Sequence, residues 1–507
     1  MKRKFGKASA IRSPKPKKRR KGQTEFDKKR FNQNFNTEKY DRIYENPFKL
    51  VGDSPLSTFS IDVDTASYSN MRRYLKNRRK PPKGSVRLEE LINYFDYKYD
   101  SPSANSKIPF AVNAELATCP WKNGHKLLRI GIKGKTLQKN KLPKSNLVFL
   151  LDVSGSMNYG KKLPLLKKAF TLLLNQLNKG DRVAIVVYAG ASGLVLDSTT
   201  CNQKSKILQA LNSLKAGGST DGGSGIKLAY KIALKNYIKN GNNRVLLATD
   251  GDFNVGVTNR SELIRMITEK AKSNVFLTVL GFGMGNYNDA LLEKIANKGN
   301  GNYAYIDSYN EARKVLSQQL SGTLHTIAKD VKIQVEFNPA KVKAYRLLGY
   351  ENRVMAARDF NDDKKDAGEI GAGHMVTAIY QLVPAGTKIK VPGIDKLKYQ
   401  TDRKLTGKSQ GNEVMTLKMR YKKPKGKKSK LIKFPVLDRT VQFSQSSNDT
   451  KFAASVAAFG MLLRDSKYKG NASLNWVVST AQAALGTDKF NYRKEFISLV
   501  KNAMEAK

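Results

Sequence analysis

The sequence predicts an α/β protein with a doubly wound, mostly parallel sheet at its centre, flanked by an antiparallel β unit and by helical segments. Two observations predict this fold class. Within residues 145–321, short apolar segments alternate with amphipathic ones, as strands and helices do in a parallel sheet covered on both faces. Beyond residue 326, strand-like segments follow one another without intervening helices, which is typical of an antiparallel sheet.

The composition is that of folded, domain-sized units. The chain has 507 residues, of which 40% are hydrophobic, and a chain of this length usually forms several domains. No apolar run approaches the roughly 20 residues that span a bilayer. The two cysteines, Cys119 and Cys201, lie far apart and predict no disulfide framework, and the three isolated histidines predict no zinc site.

Residues 1–45 are predicted to form a disordered, basic tail. Residues 1–21 carry eleven lysines and arginines and no acidic residue, although most of the formal net charge of +50 lies on the rest of the chain. The run Lys15–Lys21 suits nucleic acid or another anionic surface. No nucleic-acid-binding module follows it, so a solvated tail is the favoured interpretation. Residues 22–36 are mostly polar, so no export signal is predicted after these charges.

Residues 46–144 are predicted to form an amino-terminal flanking region. Its segments, in order, are a strand, two amphipathic helices and two further strands: Leu56–Val63, Tyr68–Arg79, Leu88–Tyr97, and two strands within 109–133. The residues just before the first helix, Asp62–Thr65, are interpreted as a capped helix start. The region therefore supplies strands that need partners elsewhere in the chain.

Residues 145–321 carry the strand–helix alternation. Strands are predicted at Leu147–Leu151, Val183–Tyr188, Gly193–Asp197, Val245–Thr249, Val275–Gly281 and Tyr303–Ile306. Helices are predicted at Leu163–Leu177, Lys204–Leu214, Gly225–Asn240, Glu262–Ala271, Asp289–Ala296 and from Asn310 onward. In such sheets, ligands bind beyond the carboxyl ends of the strands.

Residues 326–440 are predicted to be an antiparallel β region, and residues 450–507 a helical region. The β region has strand-like segments at Val331–Phe337, Ala344–Leu348, Met375–Leu382, Val414–Tyr421 and Lys430–Phe434. In the helical region, small residues recur at helical spacing, including Ala453, Ala457 and Gly460. That face is expected to pack closely against another element.

The first predicted strand of the α/β segment ends in a set of oxygen-bearing side chains. Asp152, Ser154 and Ser156 occupy alternate positions in LVFLLDVSGS. Carboxylate and hydroxyl oxygens suit a small, hard cation such as Mg²⁺. Two further oxygen donors fall in later loops of the same segment, Thr220 in GGSTDGG and Asp250 in VLLATDGD. If the strands are neighbours, all five side chains converge above the sheet.

The motifs DVSGSM, GGST and LLATDGDFNVG, in this order, resemble the metal-ion-dependent adhesion site of von Willebrand factor type A domains. The flanks, including STFSIDVDTASYSNMRRYL and AAFGMLLRDS, resemble a bacterial family that sets this Rossmann-like domain between dedicated terminal regions. The resemblance implies that Ser154, Ser156 and Thr220 supply hydroxyl oxygens. It also implies that Asp152 and Asp250 hold the ion directly or through waters.

The same resemblance implies a partner and a location. The remaining coordination position of the ion takes an acidic side chain from a partner protein, and Mg²⁺ is favoured over Mn²⁺ or Ca²⁺. Family members are found at the cell envelope, whereas this sequence alone, lacking an export signal, would indicate the cytoplasm. Asp221 and Asp252 depart from the family pattern, since either could add negative charge near the ion and weaken its attraction for a carboxylate. We expect both to face solvent or to lie outside the ligands that touch the ion.

The predicted function is a non-enzymatic, divalent-metal-dependent protein-binding module. Two alternatives are a structural scaffold in which the ion staples loops together, and a polyanion-binding protein that uses the basic surface. An enzyme is the least supported class, since no histidine lies within 145–321 and no general base is evident beside the hydroxyl ligands.

Overall fold

The computed structural model describes residues 38–506 except for 39, 104, 138–141, 190–191, 219–221, 252–259, 284–287, 320–321, 323, 366, 390–403 and 425. Most of the predicted tail, residues 1–37, therefore lies outside the described residues. Among the helices that are described, none combines the length and the apolar character needed to cross a membrane.

The strands of three sheets account for most of the chain's β structure. In chain order they are β1 (Lys49–Leu50), β2 (Leu56–Ser60), β3 (Phe110–Thr118), β4 (Lys126–Gly134), β5 (Ser145–Asp152), β6 (Arg182–Tyr188), β7 (Ser192–Thr200), β8 (Asn242–Thr249), β9 (Phe276–Phe282), β10 (Tyr303–Ile306), β11 (Thr326–Phe337), β12 (Val342–Leu348), β13 (Ile370–Gly371), β14 (Met375–Pro384), β15 (Glu413–Lys422) and β16 (Ser429–Leu437).

The helices lie between these strands and at the carboxyl-terminal end. The α-helices are Ala66–Lys76, Leu88–Ile92, Leu163–Gln176, Lys204–Ser213, Gly222–Lys235, Arg260–Ala271, Asp289–Lys298, Tyr309–Arg313, Asn448–Arg464, Leu474–Ala483 and Tyr492–Glu505. A π-helical segment, Lys314–Gln318, continues the helix at Tyr309–Arg313.

The central sheet has the strand order β10-β9-β8-β5-β6-β7. The strands β10, β9, β8, β5 and β6 run parallel to their neighbours, and β7 is an antiparallel edge strand. Every residue of β5 is buried, and its apolar side chains alternate between two cores. Leu147 and Phe149 pack with the helix Leu163–Gln176, whereas Val148 and Leu150 pack with the helix Gly222–Lys235. Helices thus cover both faces, and the predicted fold class is confirmed.

The other two sheets are antiparallel. Each combines strands that precede the α/β segment in the sequence with strands that follow it. One has the order β1-β12-β14-β4-β3, and the other has β13-β11-β15-β16 with β2 also paired to β11. In the first sheet Thr377 lies opposite Gly131, and in the second Val335 lies opposite Ser57. Apolar side chains from both sheets share one core. Strands on either side of the α/β segment in sequence therefore depend on each other for pairing.

The first of the carboxyl-terminal helices, Asn448–Arg464, packs against the short helix Leu88–Ile92. The predicted small-residue face lies in this contact, because a Cβ atom on Gly460 would stand only 3.1 Å from Leu91 Cδ1. Ala453 and Ala457 belong to the same buried core as Leu91. We therefore expect Gly460→Leu to overpack this core and to lower the free energy of unfolding by about 1–3 kcal/mol. Urea denaturation would measure this loss, and an unchanged midpoint would contradict the tight packing.

Candidate metal centre

Asp152 is the last residue of the central strand β5, and its side chain is fully buried. Its Oδ1 atom accepts the backbone N–H of Ser154 at 2.9 Å. Its Oδ2 atom accepts the hydroxyls of Tyr188 at 3.3 Å and Thr249 at 3.4 Å, which come from the ends of the two neighbouring strands. Three neighbours thus fix the carboxylate at the carboxyl edge of the sheet.

A chain of short hydrogen bonds joins three more of the predicted ligands. The hydroxyls of Ser154 and Ser156 lie 3.1 Å apart, and the Ser156 hydroxyl donates to Asp250 Oδ2 at 2.6 Å. Ser154 and Asp250 are buried, whereas Ser156 is exposed on a 3₁₀ turn at Gly155–Met157. Four of the five predicted side chains therefore converge, and the exposed hydroxyl marks the side open to solvent.

The fifth predicted ligand, Thr220, lies outside the described residues, as do Asp221 and Asp252. The loop that leads to Thr220 is nevertheless bonded to the site. Gly217 donates its N–H to the Val153 carbonyl at 2.7 Å, and Gly155 donates its N–H to the Gly218 carbonyl at 3.0 Å. Two backbone hydrogen bonds thus tie this glycine loop to the turn that carries the serines.

Burial and the nearby negative charge of Asp250 disfavour the ionised form of Asp152. Burial is the largest effect and the nearby Asp250 carboxylate adds to it, so the pKa of Asp152 rises to about 6, although hydrogen bonds from Ser154 oppose the shift. A cation beside both carboxylates would relieve the repulsion. Within the described part of the chain, no group of three or more His, Cys, Asp or Glu side chains could hold a metal. The donors at this site are hydroxyl and carboxylate oxygens, which are the ligands that hard cations such as Mg²⁺ prefer.

Lys162 also belongs to this site, although it was not among the predicted site residues. Its Nζ atom lies 2.8 Å from Asp250 Oδ2, the oxygen that also accepts the Ser156 hydroxyl. A lysine supplies no oxygen ligand to a metal ion, and at the start of a helix it is normally solvated. Its position six residues beyond Ser156, at the start of the helix over the first strand, is the signal that could have drawn attention to it.

Comparison with known protein families finds three matches along the chain. Residues 34–129 match a family described as von Willebrand factor, and residues 146–318 match the von Willebrand factor type A domain. Residues 322–506 match the carboxyl-terminal region of the uncharacterized protein YfbK. YfbK of Escherichia coli (strain K12) is 46% identical over 472 residues, which is 92% of this chain and 81% of that protein.

Other relatives and solved structures are less similar in sequence. Human inter-alpha-trypsin inhibitor heavy chain H1 is 28% identical over 204 residues, which is 38% of this chain and 21% of that protein. Among solved structures, a von Willebrand factor type A protein from Catenulispora acidiphila is 14% identical with a TM-score of 0.42, covering 79% of this chain and 91% of its own. Proximal thread matrix protein 1 from the mussel byssus was solved with zinc in its metal-ion-dependent adhesion site (MIDAS) motif. It is 20% identical with a TM-score of 0.29, and the match covers 35% of this chain and 45% of that one.

Proposed function

This chain belongs to the family of von Willebrand factor type A domain proteins that includes Escherichia coli YfbK, and on that premise we propose that it is a divalent-metal-dependent protein-binding module. One observation carries the proposal: Asp152, Ser154, Ser156 and Asp250 come together at the carboxyl edge of the central sheet. We propose no reaction for this site, since its hydroxyls suit a cation and we assign Asp152 and Asp250 to holding it.

The ion would be held by the hydroxyls of Ser154, Ser156 and Thr220, with Asp152 and Asp250 bound directly or through waters. We propose Mg²⁺ as the resident ion, with Mn²⁺ or Ca²⁺ as alternatives, since small hard cations prefer oxygen ligands. Three of the five ligands are neutral, so the ion keeps positive charge to attract an anion. The exposed position of Ser156 leaves a path for an acidic side chain of a partner protein.

Metal binding is tested by adding Mg²⁺ or Mn²⁺ to the full chain during thermal denaturation. A ligand that binds only the native state stabilises it by about 2.7 kcal/mol at a concentration 100 times its Kd, so the melting temperature should rise. Ser154→Ala removes one hydroxyl ligand and should reduce the rise. Ser213→Ala, an exposed serine at the end of a helix, is the matched control and should leave it unchanged. Equal rises in both variants would contradict the assignment.

Partner binding is separated from the two alternatives by chelation and by salt. A metal-bridged complex should dissociate in EDTA and should not form with Asp152→Ala. A scaffold would show the thermal shift without any metal-dependent partner. A polyanion-binding protein would bind heparin with an affinity that falls steeply as salt rises and that is indifferent to Asp152. Partner capture that survives both EDTA and the substitution would overturn the proposed function.

A further inference from the structure

We propose that Lys162 is a built-in counter-ion of the metal centre, whose ammonium group neutralises Asp250 until a divalent ion displaces it, so that Lys162 sets the metal affinity. This inference rests on the proposed function. Lys162 is not itself a metal ligand, but its charge would lower the affinity of the site for the ion.

The contact lies at the centre of the ligand set. Lys162 Nζ is 2.8 Å from Asp250 Oδ2, and the Ser156 hydroxyl donates to that oxygen at 2.6 Å. The Asp250 side chain is 3% exposed and that of Lys162 is 12% exposed, so water screens this pair weakly. The ammonium therefore approaches the carboxylate oxygen that joins Asp250 to the serine turn.

Backbone hydrogen bonds and a contact with Gly283 hold Lys162 beside Asp250. Its backbone N–H donates to the Tyr159 carbonyl at 2.8 Å, and its own carbonyl accepts the Leu166 N–H, the first bond of the following helix. Its aliphatic stem lies against Gly283, where a Cβ atom would overlap Lys162 Cε. Gly283 also has a φ of +83°, which glycine adopts without strain. Space for this side chain is thus provided by a residue more than a hundred positions away.

An ammonium group and a divalent ion compete for Asp250, because their charges repel at short range. Lysine carries a compact charge on a flexible stem, so it can leave the carboxylate without moving the backbone. The ring of Tyr159, which is 68% exposed, lies 5.7 Å from the ammonium and offers it a cation–π contact near solvent. The apparent affinity for the ion is then reduced by the fraction of molecules in which Lys162 still covers Asp250.

The test uses calorimetric titration of the full chain with Mg²⁺ and with Mn²⁺, and thermal denaturation in EDTA. Lys162→Met keeps the stem and removes the charge; it should bind the ion roughly tenfold more tightly and melt at a lower temperature without metal. Lys162→Arg restores the charge and should return both values toward those of the wild type. Lys161→Met, an exposed neighbour, removes the same charge and should change neither value.

Unchanged or weaker metal binding by Lys162→Met overturns the role of Lys162 while leaving the proposed function intact. If neither the wild type nor the variant binds either ion, both proposals fail. An equal gain in affinity by Lys161→Met would assign the effect to net charge and would also overturn the inference. If Lys162→Met does not fold, Lys162→Gln provides the same comparison with a polar stem.

Discussion

Replacement of Arg72 by methionine is expected to lower the free energy of unfolding by about 3–5 kcal/mol, because it strips the partner from buried carboxylates. Arg72 lies on the helix Ala66–Lys76 and is 2% exposed. Its guanidinium contacts Asp307 and Glu311 of the α/β segment and Glu495 of the last helix. One side chain therefore links three regions that are distant in sequence, and its loss should loosen all three contacts.

Urea denaturation of the full chain would measure this effect. Lys76→Met is the matched control, since Lys76 lies on the same helix and contacts the same Glu495 at 2.7 Å, but its side chain is 51% exposed. Exposed ion pairs contribute about 0–1 kcal/mol, so the control should remain close to the wild type. Equal losses of unfolding free energy in the two variants would show that the buried ion pairs of Arg72 stabilise the protein no more than the exposed pair of Lys76.

Asp152→Asn is expected to stabilise the metal-free protein above pH 6 while abolishing its response to Mg²⁺. The pKa of Asp152 is raised to about 6, mainly by burial and then by Asp250, whereas an unfolded aspartate titrates near 3.9. Between these values the native state binds more protons than the unfolded state, so wild-type stability falls as pH rises. Asparagine does not ionise and avoids this penalty, which is about 3 kcal/mol.

Thermal or urea unfolding in EDTA at pH 4 and pH 8 would measure the difference. The advantage of Asp152→Asn should be present at pH 8 and should vanish at pH 4, where the wild-type carboxyl is protonated in the native state. Excess Mg²⁺ at pH 8 should reverse the order of the two proteins. Asp197→Asn, at an exposed aspartate on the edge strand β7, should show neither effect. A variant less stable than the wild type at pH 8 in EDTA would contradict the argument.

Local sequence patterns predicted the central sheet and the convergence of four polar side chains at its carboxyl edge. The buried run Leu147–Leu151 and its continuation to Asp152 identified both the strand and its carboxyl end. The interpretation of Asp62–Thr65 was only partly correct: a helix does begin at Ala66, but Thr65 makes no side-chain capping bond. Asp64 instead accepts the N–H of Tyr303 at 2.8 Å.

The features that were not predicted depend on contacts between distant residues. The pairing of β2 with β11 joins segments separated by the whole α/β segment, and no local periodicity specifies such a partner. Lys162 reaches an oxygen that lies 88 positions further along the chain, through a space that Gly283 leaves open. Apolar periodicity reports which face of an element is buried, but not which long polar side chain will cross to another loop.

The shared antiparallel sheets also set an order of events during synthesis. β4 ends at Gly134, but its partner β14 begins at Met375, and β2 must wait for β11. A ribosome that adds about 5–20 residues per second needs roughly 10–50 s to synthesise the chain between Gly134 and Met375. The α/β segment, whose strands pair among themselves, can emerge and close during this interval. During this interval β2 and one edge of β4 lack their partner strands, and unpaired strand edges favour aggregation.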